Sequence, residues 1–539
     1  MEEIGKNLYV YEYDDEIILV DCGLAFPDET TLGVDIIIPD VSYLRERKRM
    51  VKAVVITHAH EDHIGALPHV LPEFPGVPVY ASTLARGLLA NKLKEAKIAS
   101  NPLRKLDPGD RLELGAFTIE PFRVGHSIPD AMGLAIHTPV GTVVHTGDFK
   151  FDQTPVDGRG TDFDILARLG AEGVIALVSD STRAEMPGYT PSERVVGETF
   201  RGIMSEAQGR VIVATFASNI ARIQQVIDAA EILGRRVAVV GRSMEQNSKI
   251  AQDLGYLTMK RPFISKEEIA RRVKEPLVIA TTGAQGEPMA GLAKMGNAEH
   301  RNVEIQPGDT VIVSASPIPG NEEAVGRTID NLFRAGANVV YHSIAPVHVS
   351  GHASREELKM MISLTKPKNF VPMHGEIRMQ VAHGRIATEM GVSPQNVFIS
   401  GNGVPIEFHA DGSARRRPAV AHGQVFVDGS SVGEISEVVL RDRRTLADDG
   451  IVVVVASIDR KSGRPVGRPA HVTRGFLNGD EDNKLVEQAI EIALRALQAK
   501  GDRSSEPALI KAKISEAVSR FLHRETRRRP LVVPVVVEV

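Results

Sequence analysis

The chain has a single cysteine, Cys22, in 539 residues. No intrachain disulfide can form, which removes the disulfide-stapled secreted folds and fits a reducing cytoplasm. Cys22 follows Asp21 in an apolar stretch and reads as a buried structural thiol. Long apolar runs are missing as well. The longest, residues 451–456 and 531–537, are far too short to span a bilayer, so no membrane role is expected. The opening Met1-Glu2-Glu3 is acidic, unlike the basic start of a secretory leader. There is no internal repeat and no long low-complexity tract. An excess of positive charge is also absent: the net charge is −5, which alone argues against a nucleic-acid partner. The basic residues do cluster, at Arg415-Arg416-Arg417, at Arg441, Arg443 and Arg444, and at Arg524 and Arg527-Arg528-Arg529. Each cluster reads equally as a solvated face or an RNA contact. A metal site, moreover, brings its own positive charge to a phosphate. The rest of the composition, 42% hydrophobic and 25% charged, is ordinary for a globular enzyme, and the length implies several domains.

What is present is concentrated at residues 58–63, His58-Ala59-His60-Glu61-Asp62-His63. Three imidazoles and two carboxylates in six residues are improbable by chance in a chain with 17 histidines. The cluster follows the apolar run 53–56, so it sits at the carboxyl end of an expected strand. Neutral imidazole and carboxylate are donors that zinc and manganese accept. The pattern reads as the first half of a two-metal site, and two metals imply hydrolysis. More candidate ligands follow, each just past a short apolar run and beside Gly or Pro: His126, Asp148 and His374. A lone histidine in such a place is usually a satisfied loop residue. The set is harder to dismiss. His69, His137 and His145 are assigned to structure.

The strand signals at 17–20, 53–56, 77–80, 117–120 and 142–144 suit a sandwich with ligands at the strand ends. From about 180 to 345, apolar strands at 211–214, 236–240, 277–281, 310–314 and 338–341 alternate with helical patterns at 219–233 and 321–335. This rhythm implies a parallel sheet covered by helices. Because candidate ligands precede and follow it, that sheet is expected to be an insertion. The expected divisions are 1–178 and 346–425 for the two parts of the first domain, 179–345 for the insertion, and 426–450 for a linker. A small β-α-α-β domain over 451–539 has exposed strand edges, which suits oligomerisation.

These residues resemble the metallo-β-lactamase superfamily, whose pattern is an Asp closing an early strand, then His-x-His-x-Asp-His, a His, an Asp and a late His. Asp21 matches the first element. Three stretches narrow the resemblance to the β-CASP nucleases: Ser179-Asp180-Ser181-Thr182, His348-Val349-Ser350-Gly351-His352 and Pro372-Met373-His374-Gly375-Glu376. With Thr282-Gly283-Ala284-Gln285-Gly286-Glu287 and Ser316-Pro317-Ile318-Pro319-Gly320-Asn321-Glu322, they look like the bacterial ribonuclease J family over essentially the whole chain. That family enters through a Gly-rich strand-turn ahead of a segment like Gly5-Lys6-Asn7. Here the numbering starts almost inside that segment, which leaves an edge strand unaccounted for.

The resemblance implies an α/β fold: an αββα sandwich, an inserted parallel-sheet β-CASP domain and a small α+β C-terminal domain. It implies two divalent ions per subunit, Zn or Mn, about 3.5–4 Å apart. His58, His60 and His126 would hold one, and Asp62, His63 and His374 the other. Asp148 would bridge, and Asp21 would orient a ligand histidine. Asp62, Asp180 and His352 are the expected catalytic groups, with His352 as general acid held by Asp180; a mere phosphate contact is the rival role for His352. His348, Val349, Ser350, Gly351 and His352 resemble a phosphate-binding loop. Ser218 and Asn219 look like a second phosphate contact, although a plain helix cap explains them equally well.

The implied activity is 5′-to-3′ exonuclease action on 5′-monophosphorylated RNA, with endonuclease activity alongside, in RNA decay and maturation. The implied setting is a cytoplasmic homodimer or homotetramer with RNA-decay or ribosome-associated partners. The rivals are a lactonase or thioesterase, a DNA-directed β-CASP nuclease, and an inactive RNA-binding scaffold.

Overall fold

The computed structural model describes residues 2–28, 30–99, 102–271, 276–285, 290–318, 321–429, 431–460, 465–476, 481–498 and 507–539. Gly286, Glu287, Pro319 and Gly320 of the sequence motifs lie outside them. The chain divides into two compact units, one of Met1–Ala25 with Ile37–Val425 and one of Phe26–Ile36 with Phe426–Val539.

The first unit contains two facing sheets. Five strands, Tyr9–Tyr13, Glu16–Val20, Val51–Val55, Val79–Ala81 and Leu103–Lys105, pair in that order. Six more form the second sheet in the spatial order Asn369–Met373, Val174–Asp180, Gly141–His145, Met132–Thr138, Phe117–Arg123, Leu112–Leu114. Ile18, Val20 and Val55 of one sheet pack with Ile119, Leu134, Ile136, Val143, Val178 and Val371 of the other. The far face of the second sheet is covered by helices Phe163–Glu172, Arg355–Thr365 and Ile377–Glu389, through Leu166, Leu169, Leu358, Met361, Ile362 and Ile386. This is the αββα sandwich.

The inserted segment forms its own five-stranded sheet, in the order Val237–Val240, Val278–Thr281, Val211–Ala214, Thr310–Val313, Asn338–Tyr341. All its pairings are parallel. Its strands are nearly continuous Val, Ile and Ala because helices cover both faces. The insertion leaves the sandwich after Val174–Asp180 and returns as Asn369–Met373, and these two strands pair in parallel with Asp180 opposite Met373. The residue before the excursion and the residue after it therefore end on neighbouring strands.

The segments around that junction converge on Glu357, which is fully buried. Its carboxylate accepts from the backbone N–H groups of Phe151 at 2.8 Å, Thr190 at 2.7 Å and Ser354 at 2.8 Å. Glu357→Ala orphans three buried donors, at about 1–3 kcal/mol each when nothing replaces the acceptor. The expected result is a clear fall in the thermal unfolding midpoint, measured by circular dichroism; an unchanged midpoint would show that water replaces the carboxylate.

The second unit differs from expectation in two places. Residues 426–450, expected as a linker, carry the helix Glu437–Asp449, started by Ser436, whose hydroxyl accepts from Val439 N–H at 3.4 Å. Arg443 and Arg444 bond the carbonyls of Leu32 and Thr30, so these basic side chains serve the unit's own loop. The terminal domain is β-β-α-α-β, not β-α-α-β. The extra strand, Ala470–Arg474, pairs antiparallel with Ile451–Ile458, and Leu531–Glu538 pairs parallel on the other side. Its sequence Ala-His-Val-Thr-Arg is exposed or half-buried throughout, so it lacks the apolar run that marks a strand.

Candidate metal centre

Four strand ends aim at one point. Asp21 follows Glu16–Val20, the residues 58–63 follow Val51–Val55, Asp148 follows Gly141–His145, and His374 follows Asn369–Met373. A side chain just past a parallel strand is free to turn over the sheet edge. Asp21 and His374 do so with positive φ, +63° and +47°. This left-handed backbone costs about 1–2 kcal/mol per residue and is kept where the surroundings enforce it. Close packing enforces it here: a Cβ on Gly23 would fall 1.5 Å from the Asp62 carbonyl oxygen, so only glycine lets this turn lie against the histidine loop.

The side chains form two adjoining groups and a third that overlaps the second, Asp148, Asp180, His352 and His374. His58, His60 and His126 have ligand atoms within 4.8 Å of one another, and so do Asp62, His63, Asp148 and His374. In the first group His60 Nδ1 lies 3.0 Å from His58 Nε2 and 3.1 Å from His126 Nε2. In the second, Asp148 Oδ2 is 3.2 Å from His63 Nε2 and 3.6 Å from His374 Nε2, and Asp62 Oδ2 is 3.1 Å from His374 Nε2. Asp148 Oδ2 also reaches 3.7 Å from His58 and 3.9 Å from His126, so it belongs to both.

This donor set fits divalent cations. Burial, reinforced by neighbouring imidazoles, holds His58 and His126 far below the usual imidazole range and His60 down to about 4. Their nitrogens are therefore neutral donors at neutral pH. In the second group burial also pulls His63 and His374 down. The surrounding carboxylates overcome it and hold both above the usual range, His374 at about 10. Protons there neutralise carboxylates that a cation would otherwise neutralise. Asp148 Oδ1 is buried with no hydrogen-bond partner, a costly state for a carboxylate oxygen that a cation relieves.

The supporting contacts fix the rings. Asp21, fully buried, accepts from His63 Nδ1 at 2.7 Å and from the backbone and hydroxyl of Thr57 at 2.8 Å each. A carboxylate accepts only, so one ring proton sits on Nδ1, and Nε2, which faces Asp148, is the nitrogen a metal would take in place of a proton. His126 Nδ1 donates to the Gly351 carbonyl at 2.8 Å, and Thr182 Oγ1 lies 2.8 Å from His374 Nδ1. Asn7 Nδ2 donates to the Asp62 carbonyl at 3.1 Å. Asp21→Asn removes the acceptor that sets the His63 tautomer and is expected to weaken metal affinity by about 10–100-fold. Competitive chelator titration of the purified protein reads this, and unchanged affinity would reduce Asp21 to a packing residue.

His352 sits beside both groups. Its ring stacks on His374 at 5.4 Å between centroids and meets His126 edge-on at 5.0 Å. Its Nδ1 donates to Asp180 Oδ2 at 2.7 Å. Burial lowers its pKa, but the Asp180 carboxylate prevails and holds it above the usual imidazole value. The loop leading to it, His348 to Gly351, is built tightly: a Cβ on Gly351 would lie 2.7 Å from the His126 ring.

Asn219 caps the helix Ile220–Ile232, its side chain accepting from Arg222 N–H at 3.0 Å, while Ser218 is half-buried just before it. His145 is buried and bonded to Tyr11 Oη at 2.8 Å, and His137 lies 3.1 Å from Glu120. Asn7, Thr57, Thr182, Glu193 and Arg222 support the site and were not singled out in the sequence. Only Asn7 and Thr182, which lie inside motif segments, left any signal there.

Four family profiles match the chain. "Metallo-beta-lactamase superfamily" covers residues 2–180, "Ribonuclease J, beta-CASP domain" 208–332, "Zn-dependent metallo-hydrolase RNA specificity domain" 336–400, and "Ribonuclease J C-terminal domain" 438–539. Among similar proteins, Ribonuclease J of Thermus thermophilus is 45% identical over 100% of this chain and 94% of its own length. Ribonuclease J2 of Bacillus subtilis is 42% identical over 100% and 97%. Ribonuclease J of Mycobacterium tuberculosis is 41% identical over 100% and 96%. A solved structure of a protein of unknown function from Enterococcus faecalis V583 covers 77% of this chain and 98% of its own, with a TM-score of 0.51 and 16% identity, a likeness of fold alone.

Proposed function

This chain belongs to the ribonuclease J family, a family of metal-dependent ribonucleases, and from that premise we propose that it shortens 5′-monophosphorylated RNA from the 5′ end, with endonuclease activity alongside. The observation that carries this reading is the loop 348–352. It opens on His348, accepts from His126 Nδ1 at its Gly351 carbonyl, and closes on the Asp180-bonded His352. A terminal phosphate held at the start of that loop would be tied through one short loop to His126 and His352. That geometry suits removal of one nucleotide at a time.

In this reading His58, His60 and His126 hold one divalent cation, Asp62, His63 and His374 hold a second, and Asp148 is shared. Zinc and manganese are the candidates. When bound, such ions activate water as a nucleophile near neutral pH and stabilise charge on the phosphoryl oxygens. Asp62 serves as both ligand and catalytic carboxylate. Asp21 keeps His63 in the tautomer that presents Nε2. His352, with Nδ1 committed to Asp180, carries a transferable proton on Nε2 for the leaving 3′ oxygen. His348, Val349, Ser350 and Gly351 bind the 5′-phosphate, and Ser218 with Asn219 lies at a helix start suited to a further phosphate contact. RNA decay and maturation in the cytoplasm is the setting, and the strand edges of the terminal domain suit a homodimer or homotetramer.

The test uses one RNA sequence with three 5′ ends. Monophosphate RNA is expected to be trimmed to mononucleotides, and 5′-triphosphate and 5′-hydroxyl RNA far more slowly. Equal rates on all three would contradict the terminal pocket and favour internal cutting.

A further inference from the structure

A fully buried arginine lies behind the loop 348–352. Arg222, one turn into the helix Ile220–Ile232, has 0% exposure. Its guanidinium pairs with both oxygens of Glu193, Nη2 at 2.7 and 2.9 Å, and Glu193 is itself buried. The remaining donors point at the loop and its approach. Nη1 donates to His348 Nδ1 at 3.0 Å and to the Ser314 carbonyl at 2.9 Å, and Nη2 reaches the Val349 carbonyl at 3.4 Å. Ser314 in turn donates to the Val347 carbonyl at 2.6 Å. The pair is anchored below through the Glu193 backbone N–H, which donates to Asp152 at 2.9 Å.

A guanidinium has no acceptor. Where it donates to His348 Nδ1, that nitrogen must carry a lone pair, and the single ring proton must sit on Nε2. Burial and the adjacent guanidinium both hold His348 in its neutral form. Nε2 has no protein partner among the described residues and is left as an N–H donor. At its other end the same loop is tied to His126 through Gly351.

We propose that Arg222, seated on Glu193, is a positioning residue that sets the His348 tautomer and the loop backbone, so that His348 presents Nε2–H to the 5′-terminal phosphate. The inference rests on the reading of this loop as the phosphate site and adds the device that prepares it. A lysine at 222 keeps the charge opposite Glu193. As a single point it cannot hold Glu193, His348 and Val349 together.

The test compares wild type, Arg222→Lys, His348→Ala and the double variant on 5′-monophosphate and 5′-hydroxyl forms of one RNA, with the metal-loaded protein. Arg222→Lys is expected to reduce the monophosphate preference about ten-fold or more, chiefly through KM, as for one lost charge-assisted hydrogen bond. In the His348→Ala background the same change is expected to have little further effect. Arg210→Met, which breaks the equally buried pair with Asp309 in the same inserted domain, controls for generic destabilisation and is expected to keep the preference. Full preference in Arg222→Lys, or equal losses in both His348 backgrounds, would overturn the positioning role. Absence of any preference in wild type would instead overturn the phosphate-site reading beneath it. Nitrogen-15 NMR of histidine-labelled wild type, with His348→Ala for assignment, tests the device without a variant at 222. The expected state is unprotonated Nδ1 and protonated Nε2, and a protonated Nδ1 would overturn it.

Discussion

Asp148→Asn is expected to lower turnover on RNA by about three to four orders of magnitude, the several kcal/mol that a metal pair contributes to a phosphoryl transition state. Asp148 Oδ2 lies within 3.9 Å of candidate ligand nitrogens in both groups, and no other carboxylate among the described residues does so. An amide keeps the volume but removes the charge from a point that five surrounding groups, His58, His63, His126, His374 and Asp62, are built to share. Two readouts separate this from misfolding. The thermal midpoint is expected to change little, because the site is polar and its walls are set by the sheets. Metal content per chain, by plasma emission spectrometry, is expected to fall. Wild-type turnover in Asp148→Asn protein would contradict the shared-ligand role outright.

His352→Gln has the second largest expected effect, about 10²–10⁴-fold in kcat on RNA, the usual contribution of a general acid. The geometry places the burden on the leaving group. His352 Nδ1 is committed to Asp180, and that carboxylate, against the effect of burial, keeps the ring protonated more readily than a free imidazole. A 3′ alkoxide needs that proton, whereas a p-nitrophenolate does not. The loss is therefore expected to shrink to a few-fold on a p-nitrophenyl phosphodiester. Equal losses on both substrates would assign His352 to phosphate binding alone, the rival role open at the level of sequence.

The candidate ligands stood out because they lie within a few residues of the end of a short strand, except Asp62 and His63 on the short helix Glu61–Ile64 that follows, and a strand end is a local signal. The run 211–214 was placed to the residue because a strand buried on both faces is an unbroken apolar run; Asn338–Tyr341, at the edge of the same sheet and only partly buried, was placed to the residue by its Val-Val-Tyr run. Tyr9–Tyr13 was not read as a strand, since its Tyr and Glu residues alternate between half-buried and exposed. Ala470–Arg474 failed likewise. Residues 426–450 looked like a linker because charge and glycine outweigh the one buried apolar residue of the helix, Leu440. Arg222 and Glu193 were invisible for a different reason. Nothing in a sequence marks an arginine on a helix and a glutamate 29 residues earlier as a buried pair, because only the return of the loop at 348 gives them a shared target.

One divalent-metal centre, assembled from the residues 58–63 and from a strand that returns after the inserted domain, is proposed to hydrolyse RNA. The decisive measurement uses 5′-labelled monophosphate RNA with protein stripped by a chelator, before and after manganese or zinc is added back. Stripping is expected to abolish cleavage, add-back to restore it, and labelled mononucleotide to be the first product. Undiminished cleavage by the stripped protein, or none on RNA after add-back, would contradict the proposal.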